Sequence, residues 1–253
     1  MGSQSRPCTA TKALLLAVLL FAGGSAWAAS AVGTVTRLSG PLLAKKADGT
    51  VKILSLKSEV AQGDTLMSGK NTYAQIRFTD NSEMTVRPGT SFTIENFAFD
   101  PAKPDGDSAI FSLLKGSLRS TTGLLGKRNN EKFSLRTPTG IIGVHGTTFI
   151  ASYVPPPLPD GSGTQLPAQP TLSPGLYLQV TDGMIVVANN GGSLGFQAGQ
   201  FGYVPGINQP PVLVPSNPSL QFVPPPSFYT SPSPIPSGAI NGSPGNATDC
   251  IVR

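Results

Sequence analysis

Ala74-Gln75-Ile76-Arg77-Phe78-Thr79-Asp80-Asn81-Ser82-Glu83-Met84-Thr85-Val86 decides the fold class. Ala74, Ile76 and Phe78 alternate with Gln75 and Arg77, the period of two that gathers apolar side chains on one face of a strand. Asp80-Asn81-Ser82 is turn chemistry, since short polar side chains bond their own backbone there. Met84 and Val86 then resume the apolar face. The stretch predicts a hairpin with one side against a core.

The same alternation spreads outward in both directions. Phe92 and Ile94 continue it, Phe133 and Leu135 repeat it, and Leu176, Leu178 and Val180 alternate with Tyr177 and Gln179. Turn pairs recur at Asp48-Gly49, Asp182-Gly183 and Asn190-Gly191. No stretch after the first residues holds a helical period, so the expected class is all-β with one core. A weak internal repeat refines this expectation. Ser39-Gly40-Pro41-Leu42-Leu43 before Asp48-Gly49 and Gly63-Asp64 parallels Asp182-Gly183-Met184-Ile185-Val186 before Asn190–Gly192 and Gly199-Gln200. Lys115-Gly116-Ser117-Leu118 is a partial third copy. A repeated unit that cannot bury its own apolar face has to stack, which predicts a solenoid-like β roll of short strands.

The chain begins with a secretory pattern. Arg6 and Lys12 precede the apolar run Ala13–Ala22, and Ala26-Trp27-Ala28 is a small-x-small cleavage site. About ten apolar residues fall short of the roughly 20 that span a bilayer, so residues 1–28 are expected to be a signal peptide, with no transmembrane segment left after cleavage. Cleavage removes two cations and no acid from a chain of net charge +5, together with the sole tryptophan and Cys8. Cys250 then has no partner for an intrachain disulfide. The expected organisation is a β domain over residues 29–205, interrupted by a Pro/Gly/Ser insertion at 155–174. A tail over 206–253 follows, with 11 of the 25 prolines. Proline lacks an amide donor, so the tail cannot form an interior strand and is expected to be extended or disordered.

Catalytic patterns are weak. Gly191-Gly192-Ser193-Leu194-Gly195 matches G-x-S-x-G, but a strand pattern follows where that motif needs a helix, and the single histidine, His145, precedes it. One histidine and two cysteines supply no zinc set. Gly126-Lys127 is followed by Arg128 and lacks the first glycine of a phosphate loop. Asp48, Asp80, Asp160 and Asp182 are turn acids, and Glu83 and Glu95 form no recognisable catalytic pair. No enzymatic activity, cofactor, metal or nucleic-acid partner is expected. A basic cluster of Lys127, Arg128 and Lys132, with Arg136 beyond it, offers contact with an anionic partner or, more simply, a solvated loop.

Between residues 31 and 154 these pieces assemble into a pattern that resembles the FecR domain family, named for a periplasmic-facing iron-transport regulator. The matching residues are Gly33-Thr34-Val35 with Gly40, Gly63-Asp64-Thr65-Leu66, the 74–86 hairpin, and Leu113-Leu114-Lys115-Gly116-Ser117-Leu118. Arg136-Thr137-Pro138-Thr139-Gly140 running into Gly143-Val144-His145-Gly146-Thr147-Thr148-Phe149 completes the set. The resemblance implies a β-rich, solenoid-like domain that binds a protein or polysaccharide partner of the cell envelope, in the periplasm or at the cell surface. It carries over no catalytic residue. The family commonly has arginine where this chain has His145, so His145 joins the candidate partner contacts. The namesake's cytoplasmic segment and membrane span are replaced here by the signal pattern. An envelope binding or signalling module is therefore expected, with a stalk or adhesin-like role as the alternative and an envelope hydrolase as the remote one.

Overall fold

The computed structural model describes residues 30–157, 172–217, 220 and 222–229. The expected signal peptide, most of the 155–174 insertion, Asp160, Cys250 and the last part of the tail lie outside the described residues. Fifteen strands follow one another almost without helix. They are β1 (Ala31–Leu38), β2 (Leu42–Lys45), β3 (Val51–Leu54), β4 (Glu59–Ala61), β5 (Thr65–Ser68), β6 (Ala74–Phe78), β7 (Glu83–Val86), β8 (Ser91–Ala98) and β9 (Ser108–Thr121). A one-turn helix, α1 (Leu124–Arg128), precedes β10 (Phe133–Thr137), β11 (Gly140–Val154), β12 (Gly175–Asn189), β13 (Gly192–Gln197), β14 (Phe201–Val204) and β15 (Val212–Val214).

The 74–86 hairpin forms as its alternation predicts. Gln75 pairs with Thr85 and Ile76 with Met84, while Ala74, Ile76, Met84 and Val86 are buried. Phe92, Ile94, Phe133, Leu135, Leu176, Leu178 and Val180 join them in one core. Phe111 stands at its centre, its ring 5.0 Å from that of Phe78, 5.4 Å from Phe92 and 5.5 Å from Phe133.

The expected solenoid does not form. Coils of a solenoid lie parallel, whereas here every pairing but β9 with β10 is antiparallel. The short connections, such as Thr79–Ser82 and Asn190–Gly191, allow only antiparallel neighbours. The sheet is barrel-like and closes on itself: β9 pairs with β10, β10 with β11, and β11 again with β9. Closure depends on three long strands that each serve two sets of partners. The first half of β9 pairs with β8 and β10, its second half with β7 and β11. Strand β11 passes from β10 to β9 along its length, and β12 from β14 to β13.

Each long strand changes partners at a glycine with positive φ: Gly116 (86°), Gly146 (61°) and Gly183 (75°). Only glycine enters that region without a Cβ penalty, and a bulge there bends the strand out of one ladder into the next. The Asp182-Gly183 pair, expected as a turn, is therefore a bend inside β12. Of the copies of the repeat seen in the sequence, those at Gly116 and Gly183 are such corners, whereas Gly40 lies in the connection between β1 and β2. A hydroxyl replaces the ladder bond lost at each bend. Thr90 Oγ1 accepts from Ser117 N and donates to Ser117 O, both at 3.0 Å. Thr122 Oγ1 does the same to Thr147 at 2.8 and 3.2 Å, and Thr147 Oγ1 to Met184 at 3.2 and 2.6 Å.

The start of the expected tail is ordered on the domain. Strand β15 extends the sheet beyond β14, an edge position compatible with its flanking prolines. Leu220 and Phe228 are buried outside the main core cluster. Phe222 and Phe228 pack their rings 6.2 and 6.1 Å from Tyr73. Proline excluded an interior strand but did not exclude docking.

Tyr177 and Tyr203 stack at 4.7 Å and donate to Ser173 O and Pro174 O, fastening the chain where it re-enters at β12. Burial, with the neighbouring Tyr203 second, pushes the Tyr177 phenol above its ordinary pKa. A raised folded pKa favours the protonated form, so this contribution is intact below the unfolded value near 10 and is lost as pH rises through the folded one. Chemical denaturation from pH 9 upward should show a loss of stability that Tyr177→Phe lacks.

Candidate functional site

The basic loop is largely spent on the fold. Arg128 donates through Nε to Asp107 Oδ2 at 2.7 Å and through Nη2 to Asp100 O at 2.7 Å, with its guanidinium 4.7 Å from the Phe99 ring. Asp107 is buried, so the pair holds the 99–107 loop closed from inside. Lys132 Nζ donates to Asp105 O in the same loop. Arg136 stands apart on β10 and pairs with Glu95 Oε2 at 2.7 Å. Lys127 is exposed at the end of α1. His145 takes its place on β11 opposite Met184. The five candidates thus divide into a loop clasp, a separate ion pair, one free-standing lysine and a corner residue, rather than one surface.

The other motifs resolve into scaffold. Asp64, of the Gly63-Asp64 pair, is buried and accepts from Lys46 Nζ at 2.6 Å and Ala61 N at 2.9 Å. Asp80 is buried and accepts from Ser82 N and Oγ at 2.9 and 2.6 Å. Asp48 accepts from Thr50 N and Oγ1, and the Thr50 hydroxyl bond holds its carboxyl below the usual range. Ser193 opens β13 opposite Ala188, so a strand occupies the place of the helix that a G-x-S-x-G nucleophile needs. Gly146-Thr147-Thr148-Phe149 forms the β11 corner, with Thr147 bridging to Met184 and Phe149 in the core.

Concavities of about 320 and 690 Å³ flank Lys46 and Lys52, and two more lie elsewhere on the described residues. A cavity of about 740 Å³ lies at the 99–107 loop, floored by Ala31, Val32, Phe97 and Phe99. Its polar groups are mostly engaged, Gln62 Oε1 with Phe97 N and Asp100 Oδ1 with Ala102 N. The second, about 180 Å³, lies between the docked tail and the face of the sheet turned away from the core. Arg37, Gln75, Thr85 and Arg119 form one cross-strand row beneath it, from β1 through β6 and β7 to β9. Phe222, Pro224, Phe228 and Tyr229 form its opposite wall. The only acid lining it, Glu83, already accepts from Arg77 at 2.6 Å and from Gln75 at 2.9 Å. Arg37 and Arg119 form no ion pair among the described residues, and the Arg37 guanidinium lies 5.5 Å from the Tyr229 ring. The sequence marked Gln75 and Arg77 as outward-facing but had no means of bringing Arg37, Arg119 and Tyr229 together.

No helix among the described residues is long and apolar enough to cross a membrane, and among them no group of His, Cys, Asp and Glu could hold a metal ion. No curated protein matches the sequence. Among solved structures, a candidate anti-sigma factor from Parabacteroides distasonis aligns with a TM-score of 0.42 and 12% identity, over 59% of this chain and 58% of that one. A second structure of that description aligns at 0.42 and 11%, with the same coverage. A cell surface anchoring domain aligns at 0.24 and 22%, over 24% of this chain and 82% of that one. The chain therefore spans little more than half the length of the first structures it matches. The model of the FecR protein family matches residues 64–166, from the buried Asp64 through the β11 corner. Residues 64–166 of this chain thus match the FecR domain that the ordered motifs resemble.

Proposed function

We propose that the chain is an exported, non-enzymatic binding or signalling module of the bacterial cell envelope. The carrying observation is the FecR domain, whose most recognisable residues here build corners of a barrel-like scaffold and leave its faces free for a partner. The buried carboxylates are engaged by the scaffold: Asp64 by Lys46, Asp80 by Ser82, and Asp107 by Arg128. The secretory pattern of residues 1–28 supports an envelope location. The domain reads as residues 29–205, with described tail residues such as those of β15, Leu220 and Phe228 packed on it. A tail fastened to its own domain as far as Tyr229 makes a poor spacer, which favours binding over a stalk. The immobilised mature chain, incubated with an envelope extract, should retain a saturable protein or polysaccharide partner. Retention of none, under conditions where the chain is folded, would sink the binding reading.

A further inference from the structure

We infer that the tail-roofed cleft is a binding site for an acidic saccharide chain of the uronate class, with Arg37 and Arg119 each taking the carboxylate of a different unit. The inference rests on the reading of the chain as an envelope binding module. It starts from charge. Two guanidinium groups face one cleft without a carboxylate partner among the described residues, and Glu83, the single acid there, is occupied by Arg77 and Gln75. An arginine fork left without a protein carboxylate is suited to receive one from a ligand.

Spacing comes next. Arg37 and Arg119 stand three strands apart in the row through Gln75 and Thr85, about 14 Å at the backbone given a spacing of roughly 4.8 Å per strand. Both line the cleft with Gln75 and Thr85 between them, so the two cations bracket a short polar floor. The Gln75 amide already bonds Glu83 and Thr36, and Thr85 is buried, so the floor spaces the two cations and the cations carry the recognition. The opposite wall is apolar, lined by Phe222, Pro224, Phe228 and Tyr229. A sugar ring with one carbon-hydrogen face and a carboxylate edge complements both walls. The volume, about 180 Å³, is below the roughly 300–1,000 Å³ of pockets enclosing drug-sized ligands, so it holds a single ring of a longer chain.

An acidic peptide fits less well. Peptides gain most on a sheet by pairing with a free edge. Here β6 and β7 are paired on both sides, and so is the second half of β9.

The test is calorimetric titration of the full mature chain at low salt with trigalacturonate. Maltotriose serves as the neutral control and hexaglutamate as the acidic peptide. Saturable binding of trigalacturonate is expected, weakened about tenfold by Arg37→Gln and by Arg119→Gln, the loss of one charge-assisted bond each. Both arginines are exposed, and thermal unfolding of each variant checks that the fold is kept. Lys52→Gln, exposed on β3 and outside the lining of the cleft, should leave affinity unchanged, and Tyr229→Ala should weaken it. Absence of saturable binding, or binding by both arginine variants as tight as by the unsubstituted chain, overturns the site. Hexaglutamate bound as tightly as trigalacturonate overturns the saccharide assignment. An envelope partner still retained by Arg37→Gln/Arg119→Gln would remove this cleft while leaving the module reading intact.

Discussion

Phe111→Ala should lower stability by about 3–5 kcal/mol, the range for removing a buried phenylalanine ring. Phe111 is fully buried on β9 and lies within ring-contact distance of Phe78, Phe92, Phe97 and Phe133. These four come from β6, β8 and β10, so the vacated space cannot be closed by shifting one element. Partial collapse sets the cost toward the lower end, and a rigid closed sheet toward the upper. Denaturant unfolding with the m-value compared measures it. Phe111→Leu, which keeps most of the volume, should recover more than half of the loss. A change below about 1 kcal/mol for the alanine variant would mean that the aromatic cluster is not the core of the closed sheet.

Gly116→Val should cost about 2–5 kcal/mol by a different route. Roughly 1–2 kcal/mol comes from placing a side chain at φ of 86°. A further 1–3 kcal/mol comes from overpacking, because a Cβ there would lie 2.6 Å from Thr90 Cα, which cannot swing away. The intrusion also displaces the Thr90 hydroxyl that carries Ser117 N and O. Gly49 separates the two contributions. It shares the same φ of 86° but has nothing within 4 Å of a built Cβ, so Gly49→Val should show the strain alone. Similar losses at both positions in parallel denaturant curves would refute the account of Gly116 as a packed corner.

How far the sequence could be read follows from the range of the forces involved. Alternation along 74–86 reports burial residue by residue, so the hairpin and its core face were legible. Asp182-Gly183 announced a positive φ correctly. Whether the chain then reverses or merely bends is set by Thr147, more than thirty residues earlier, whose hydroxyl keeps Met184 in register. The proline content after Gly206 marked where interior strands stop, but not that Phe222 and Phe228 meet Tyr73. The basic loop was visible as charge. Its use was hidden because Asp107, buried under Arg128, reads in sequence as one more turn acid. The cleft was the least legible feature, since its row draws single residues from four strands.

The three shared strands also dictate how the chain reaches this state. Strand β9 cannot complete its ladder until β11 arrives, and β11 is unfinished until β12 has been made. No early portion can therefore fold and wait for the rest. Pairings of this sequence separation place a protein among slow folders, with times of milliseconds to seconds. The chain should reach its native state in a single late step, after β12 is available, and remain open to a translocating or unfolding machine until then.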